Sequence, residues 1–131
     1  MADSQADMQV GRTPGAPLQE NYWKLVELNG QLIGSTAEGQ REAHLKFRKA
    51  GNVVEGSISC NTLRGTYEMK DGNRLSLSPL AVTRKFCANN KPEGRFLKVL
   101  EKADSYAISG DTLFLHRARM APLARLEAVY F

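Results

Sequence analysis

The sequence predicts an α+β chain that is mostly β: a small antiparallel barrel-like sheet accompanied by one amphipathic helix. Three observations predict it. Short apolar–polar alternations of period two recur along the chain, turn signals rich in Gly, Asn and Asp separate them, and a single stretch departs into helical spacing. At 131 residues the chain fits one domain with a modest core. Its 42% hydrophobic and 24% charged residues set it among globular rather than disordered proteins.

Residues 1–20 read as a flexible tail or linker. They carry Gly11, Pro14, Gly15 and Pro17 with few bulky apolar side chains, too few to offset the entropy of ordering the chain. The folded domain is expected over residues 21–131. Trp23 to Leu28 reads as a strand, closed by the turn chemistry of Asn29-Gly30. His44 to Arg48 alternates, with Leu45 and Phe47 on one face and His44, Lys46 and Arg48 on the other. Ala50-Gly51-Asn52 then leads into Val53 to Ile58, which suggests a hairpin. Leu63 to Met69 follows, and Asp71-Gly72 tolerates the positive φ that a tight hairpin into Arg74 to Ser78 requires.

Pro92 to Ala103 breaks the rhythm. Phe96, Val99, Leu100 and Ala103 recur at helical spacing, Pro92 and Glu93 suit a helix start, and Lys102 suits its end. One helix packed by one face is expected, plugging an opening or covering an open edge of the sheet. Strands resume with Tyr106 to Ser109, turn at Gly110-Asp111 into Thr112 to His116, and finish with Leu123 to Tyr130. A single helix argues against βαβ crossovers.

The charge is mild, +4, and spread along the chain. Only the short pairs Arg48-Lys49 and Arg84-Lys85 concentrate it, and no basic stripe with interleaved aromatics appears, so nucleic acid is not expected as a partner. Solvated strand faces account for these cations more simply than an anionic surface does. No apolar run reaches the roughly 18 residues of a membrane span, and the polar, acidic start does not read as a secretory leader. Glu55, Glu68, Asp71 and Glu101 fall on different elements, which gives no acid–base pair. No phosphate loop and no Ser-His-Asp constellation is present, so no catalytic residue, cofactor or metal site is expected.

The stretch Gly56-Ser57-Ile58-Ser59-Cys60-Asn61, followed by Gly65-Thr66-Tyr67, resembles the signature of the META domain, the family that includes the heat-shock protein HslJ and related bacterial envelope lipoproteins. Leu75-Ser76-Leu77, Ala81-Val82-Thr83 with Cys87 four residues on, and Gly110-Asp111-Thr112-Leu113-Phe114-Leu115 follow in the family's order. Trp23-Lys24-Leu25 with Asn29-Gly30 resembles its first strand. Ser59 departs from the Gly common before the Cys-Asn pair. The resemblance covers residues 21–131 and implies a compact barrel-like fold with a helix. It also implies an association with stress response or the cell envelope, and it carries over no catalytic residues.

On that resemblance Cys60, Asn61, Gly65, Tyr67, Thr83 and Cys87 are motif positions with a structural role. For the two cysteines three readings stand side by side. The envelope resemblance favours a Cys60–Cys87 disulfide, because an oxidising compartment retains such bonds. Two buried free thiols, or a thiol or metal-dependent site recruiting His44 and His116, are the alternatives. The Asn61 amide is expected to bond local backbone and hold a tight turn, and the Thr83 hydroxyl to fix the loop before Cys87. Trp23 and Tyr67 are expected as core or rim aromatics with partners for their polar ends.

The expected function is a non-catalytic binding or scaffolding role for the envelope under stress, in the periplasm or on the outer membrane as a lipoprotein. A monomer is expected, tethered through an N-terminal lipidated segment absent from this chain, with an envelope protein or a small ligand as partner. The alternatives are a carrier of small hydrophobic ligands inside the barrel, and the thiol or metal site at Cys60 and Cys87.

Overall fold

The computed structural model describes residues 15–34, 42–58, 60–85, 91–118 and 120–131. In chain order the strands are β1 (Tyr22–Leu28), β2 (Gln31–Leu32), β3 (His44–Phe47), β4 (Val53–Ile58), β5 (Asn61–Lys70), β6 (Arg74–Leu77) and β7 (Ala81–Val82). The helix α1 (Lys91–Lys102) follows, then β8 (Ser105–Ser109), β9 (Thr112–His116) and β10 (Ala124–Val129). Every strand pairing is antiparallel. The order β1–β10–β9–β8–β6–β5–β4–β3 returns to β1, which closes an eight-strand barrel. The expected fold class is the observed one.

Alternation drives closure. On β3 Leu45 and Phe47 turn inward, on β9 Leu113 and Leu115, and on β10 Ala124 and Leu126, all buried. Each fully buried Leu or Phe contributes about 1.5–3 kcal/mol through removal of its apolar surface from water. The outer faces carry ion pairs instead, such as Arg48 with Glu55 at 3.0 Å and Arg125 with Glu27 at 3.1 Å. Asn29 and Gly30 both take positive φ, 51° and 81°, the conformation of a tight hairpin turn. That turn produces the short strand β2, which the sequence pattern did not reveal. Gly56 is required for another reason: a Cβ there would stand 2.0 Å from the His44 carbonyl oxygen, so only glycine lets β4 approach β3.

Both poles of the barrel are covered. At one, α1 packs against β4 and β6 and buries Phe96, Val99 and Leu100 with Ala103 just beyond it, the face expected from their spacing. At the other, residues 15–20 cross the opening. The Ala16 N–H donates to the Gly110 carbonyl at 2.8 Å, Leu18 is buried, and Trp23 Nε1 donates to the Leu18 carbonyl at 2.9 Å. Gln19 Nε2 donates to the Tyr67 hydroxyl, which donates in turn to the Arg48 carbonyl, both at 2.8 Å. The packed domain thus begins some five residues before the expected break at Asn21. A five-residue run with one buried Leu has too little pattern to be read as structure from sequence.

The barrel wall is thinnest between β6 and β8, which share one residue pair, Arg74 with Ser105. Leu75 N–H to the Asp104 carbonyl and Tyr106 N–H to the Asn73 carbonyl complete this seam. After Leu77 the chain breaks from the ladder at Ser78-Pro79-Leu80, where Pro79 has no N–H to offer. It rejoins β5 as β7, pairing Leu63 with Val82 and Arg64 with Ala81. Gly65 makes this detour fit, because a Cβ there would meet Leu80 Cδ2 at 2.7 Å and Ser78 Oγ at 3.1 Å.

Candidate binding groove

Where β7 diverges from the seam, it faces α1 across a groove of about 500 Å³. Leu80 and Val82 line one wall, and Glu93, Leu97 and Glu101 line the other at helical positions i, i+4 and i+8. Arg84 and Lys85 stand at one end. The volume lies within the roughly 300–1,000 Å³ usual for ligand sites.

The base of the groove is fixed by Asn61. This side chain is 2% exposed and heads β5, rather than holding the tight turn expected of it. Asn61 Oδ1 accepts from the Thr83 hydroxyl at 2.7 Å and from the Lys85 N–H at 2.8 Å. Asn61 Nδ2 donates to the Lys85 carbonyl at 3.2 Å and to Glu93 Oε1 at 2.9 Å. All four bonding positions of the amide are used, so Asn61 ties β5, the β7 extension and the first turn of α1 into one unit. Thr83 Oγ also accepts from the Thr62 N–H at 3.0 Å. These two motif residues position the walls and leave no bonding capacity on Asn61 for a ligand. Gly65 admits Leu80 to its wall, as above, and Tyr67 lies at the far pole, edge-on to Phe47 at 5.2 Å.

Cys60 lies in the turn between β4 and β5, half-buried and not a free thiol. Cys87 falls outside the described residues, and the expected pairing with it. His44 stacks on Tyr22 at 4.2 Å on β3, while His116 sits on β9 with Nδ1 3.3 Å from the Met120 carbonyl. The fold keeps these two histidines on separate strands with β1 and β10 between them. Among the described residues, no group of three His, Cys, Asp or Glu side chains could hold a metal.

The barrel interior is occupied. Trp23, Phe47, Tyr67 and Phe96 fill it with leucines from every side, none more than 2% exposed among these aromatics. The expectation of a hydrophobic carrier inside the barrel is corrected accordingly: a ligand there would have to displace close-packed core. The groove residues were not anticipated. The signals lay in Ala81-Val82-Thr83, a motif that also encodes an edge strand, and in the Glu93–Leu97–Glu101 row beside the buried stripe.

The META domain family model matches residues 16–130. A protein from Burkholderia xenovorans solved by NMR is similar at 23% identity and a TM-score of 0.68, covering 98% of this chain and 97% of its own. A second NMR structure is similar at 21% identity and a TM-score of 0.65 over 84% of this chain and 90% of its own. A crystal structure of a duf4847 family protein from Bacteroides vulgatus gives 15% identity and a TM-score of 0.62, covering 84% of this chain and 93% of its own. These likenesses show a shared fold. The comparison with curated proteins returns no match.

Proposed function

The chain belongs to the META domain family, and we propose that it is a non-catalytic binding domain whose ligand surface is the groove between β7 and α1. One observation carries this reading: a groove of about 500 Å³, with Leu80, Val82 and Leu97 in its walls and charged residues at its ends, is held by a fully bonded buried amide at its base, Asn61. A preformed site of this kind lowers the ordering cost of association. The resemblance to envelope proteins supports a place in the periplasm or on the outer membrane. Residues 15–20 enter at the pole opposite α1, so a tether at the N-terminus would hold the groove away from the membrane. An oxidising compartment would also suit a Cys60–Cys87 bond. Asn61, which follows Cys60 in the chain, accepts from the N–H of Lys85, two residues short of Cys87.

The test is thermal stabilisation by a library of amphipathic fragments, run on the wild type and on Leu97→Lys. Ligands that bind only the folded state raise the melting temperature. The reading expects fragments that stabilise the wild type and lose that effect in Leu97→Lys. Stabilisation that ignores the substitution would place binding elsewhere.

A further inference from the structure

We propose that the groove is a strand-acceptor site, in which an extended peptide segment of a partner protein adds to the outer edge of β7 and lies against α1. This rests on the binding reading above and specifies its ligand class. In an antiparallel ladder, pairs that exchange backbone hydrogen bonds alternate with pairs that do not. The Thr83 N–H donates to the Thr62 carbonyl at 3.0 Å, which makes Thr62–Thr83 a bonded pair. The adjacent pair, Leu63–Val82, is therefore a non-bonded one, and the N–H and C=O of Val82 point away from β5. The Lys85 N–H turns back to Asn61, so by the same alternation the Arg84 N–H points outward with Val82. Val82 and Arg84 both line the groove, and among the described strands none but β5 pairs with β7. An open edge of this kind is a template for one more strand.

The dimensions and chemistry agree with an extended segment. From Glu93 to Glu101 the helix wall runs about 12 Å at 1.5 Å per residue, which matches about four extended residues at 3.3 Å each. A side chain pointing the same way as Val82 would meet Leu80 and Leu97, so it should be apolar. The two ends of the groove differ in charge. Arg84 and Lys85 outweigh Glu93, already bonded to Asn61, at one end, and Glu101 stands at the other. Among the described residues neither Arg84 nor Glu101 has an ion-pair partner. Antiparallel addition sets the N-terminal flank of the segment beside Arg84 and its C-terminal flank beside Glu101. Arg84, Val82 and Leu80 alternate onto one face, so the segment that fits reads, from N to C, acidic, any, apolar, any, basic.

The experiment uses the full chain and a fluorescein-labelled, capped peptide, Glu-Thr-Val-Thr-Lys, followed by fluorescence anisotropy. Three results are expected. Leu97→Lys weakens binding at least about tenfold, by removing the apolar contact on the helix wall. Methylating the peptide nitrogen that faces Val82 abolishes binding, since strand addition needs that donor. The double variant Arg84→Glu, Glu101→Lys prefers the peptide with its end charges exchanged, by about three- to tenfold, as two exposed charge pairs allow. The methylated-peptide result needs no protein variant, so it decides even if Leu97→Lys does not fold. Equal binding of the methylated peptide overturns strand addition. So does a dimer of this chain that Leu97→Lys dissociates while the peptide fails to bind, because the occupant is then a second copy. If fragments stabilise the protein through Leu97 and the peptide does not bind, the strand proposal fails and the binding reading stands. If neither binds, both fail.

Discussion

Single residues carry the local geometry. Asn61→Ala leaves the Thr83 hydroxyl, the Lys85 N–H and Glu93 without their shared partner, and should cost about 2–4 kcal/mol in denaturant unfolding. A loss under about 1 kcal/mol would show that the amide is not what holds the groove walls. Tyr22 offers a pH test. Burial first, and then its hydrogen bond to Glu42 at 2.9 Å, raise its pKa from 10.0 to about 12. A phenol whose folded pKa is raised adds stability that is complete below pH 10 and is lost as pH climbs from 10 towards 12. Ultraviolet titration should find a late-ionising tyrosine that disappears in Tyr22→Phe, and a residue titrating normally at position 22 would contradict the account. The proposed Cys60–Cys87 bond would stabilise a loop of that length by roughly 3.5 kcal/mol. Intact mass after denaturing alkylation checks it: both thiols should resist label until reduced. At this scale the sequence was partly legible. Asn61 and Thr83 stood out as polar motif residues, but their partners lie 21 to 32 positions away, beyond the reach of any local pattern.

Elements follow from periodicity where they are long. β1, β3, β4, β6, β9, β10 and α1 lie close to the spans their alternation or helical spacing predicts, because each buries one clean face against the barrel core. β2 and β7 escaped, since two residues hold no period. The groove escaped with β7: its wall is an edge strand created by the break at Pro79 and by the space over Gly65. Leu100→Ala should therefore separate structure from binding surface. Leu100 is fully buried under α1, and its truncation should cost about 2–5 kcal/mol, whereas Leu97→Lys on the half-buried groove side should cost far less. Chemical denaturation of the two variants checks this. Equal losses would mean that Leu97 belongs to the core and not to an open groove.

The molecule as a whole is a filled barrel covered at both poles, with the proposed binding groove outside it. The pole closed by residues 15–20 predicts that deleting residues 1–20 lowers the melting temperature in a thermal scan, by removing buried Leu18 and the acceptor of Trp23 Nε1, and an unchanged value would contradict that closure. The barrel was legible from composition, turns and alternation, and the family resemblance agreed with it over nearly the full domain. The groove was not, because the open edge of β7 follows from a break in the ladder that no local pattern records. The most direct measurement is amide chemical-shift mapping on the ¹⁵N-labelled protein during titration with the amphipathic fragment library. The account predicts that the largest shifts cluster at Leu80 to Lys85 and Glu93 to Glu101, while interior amides such as those of Leu45 and Leu113 stay in place. Shifts centred on the barrel interior or on its outer faces, or no shift with any fragment, would contradict it.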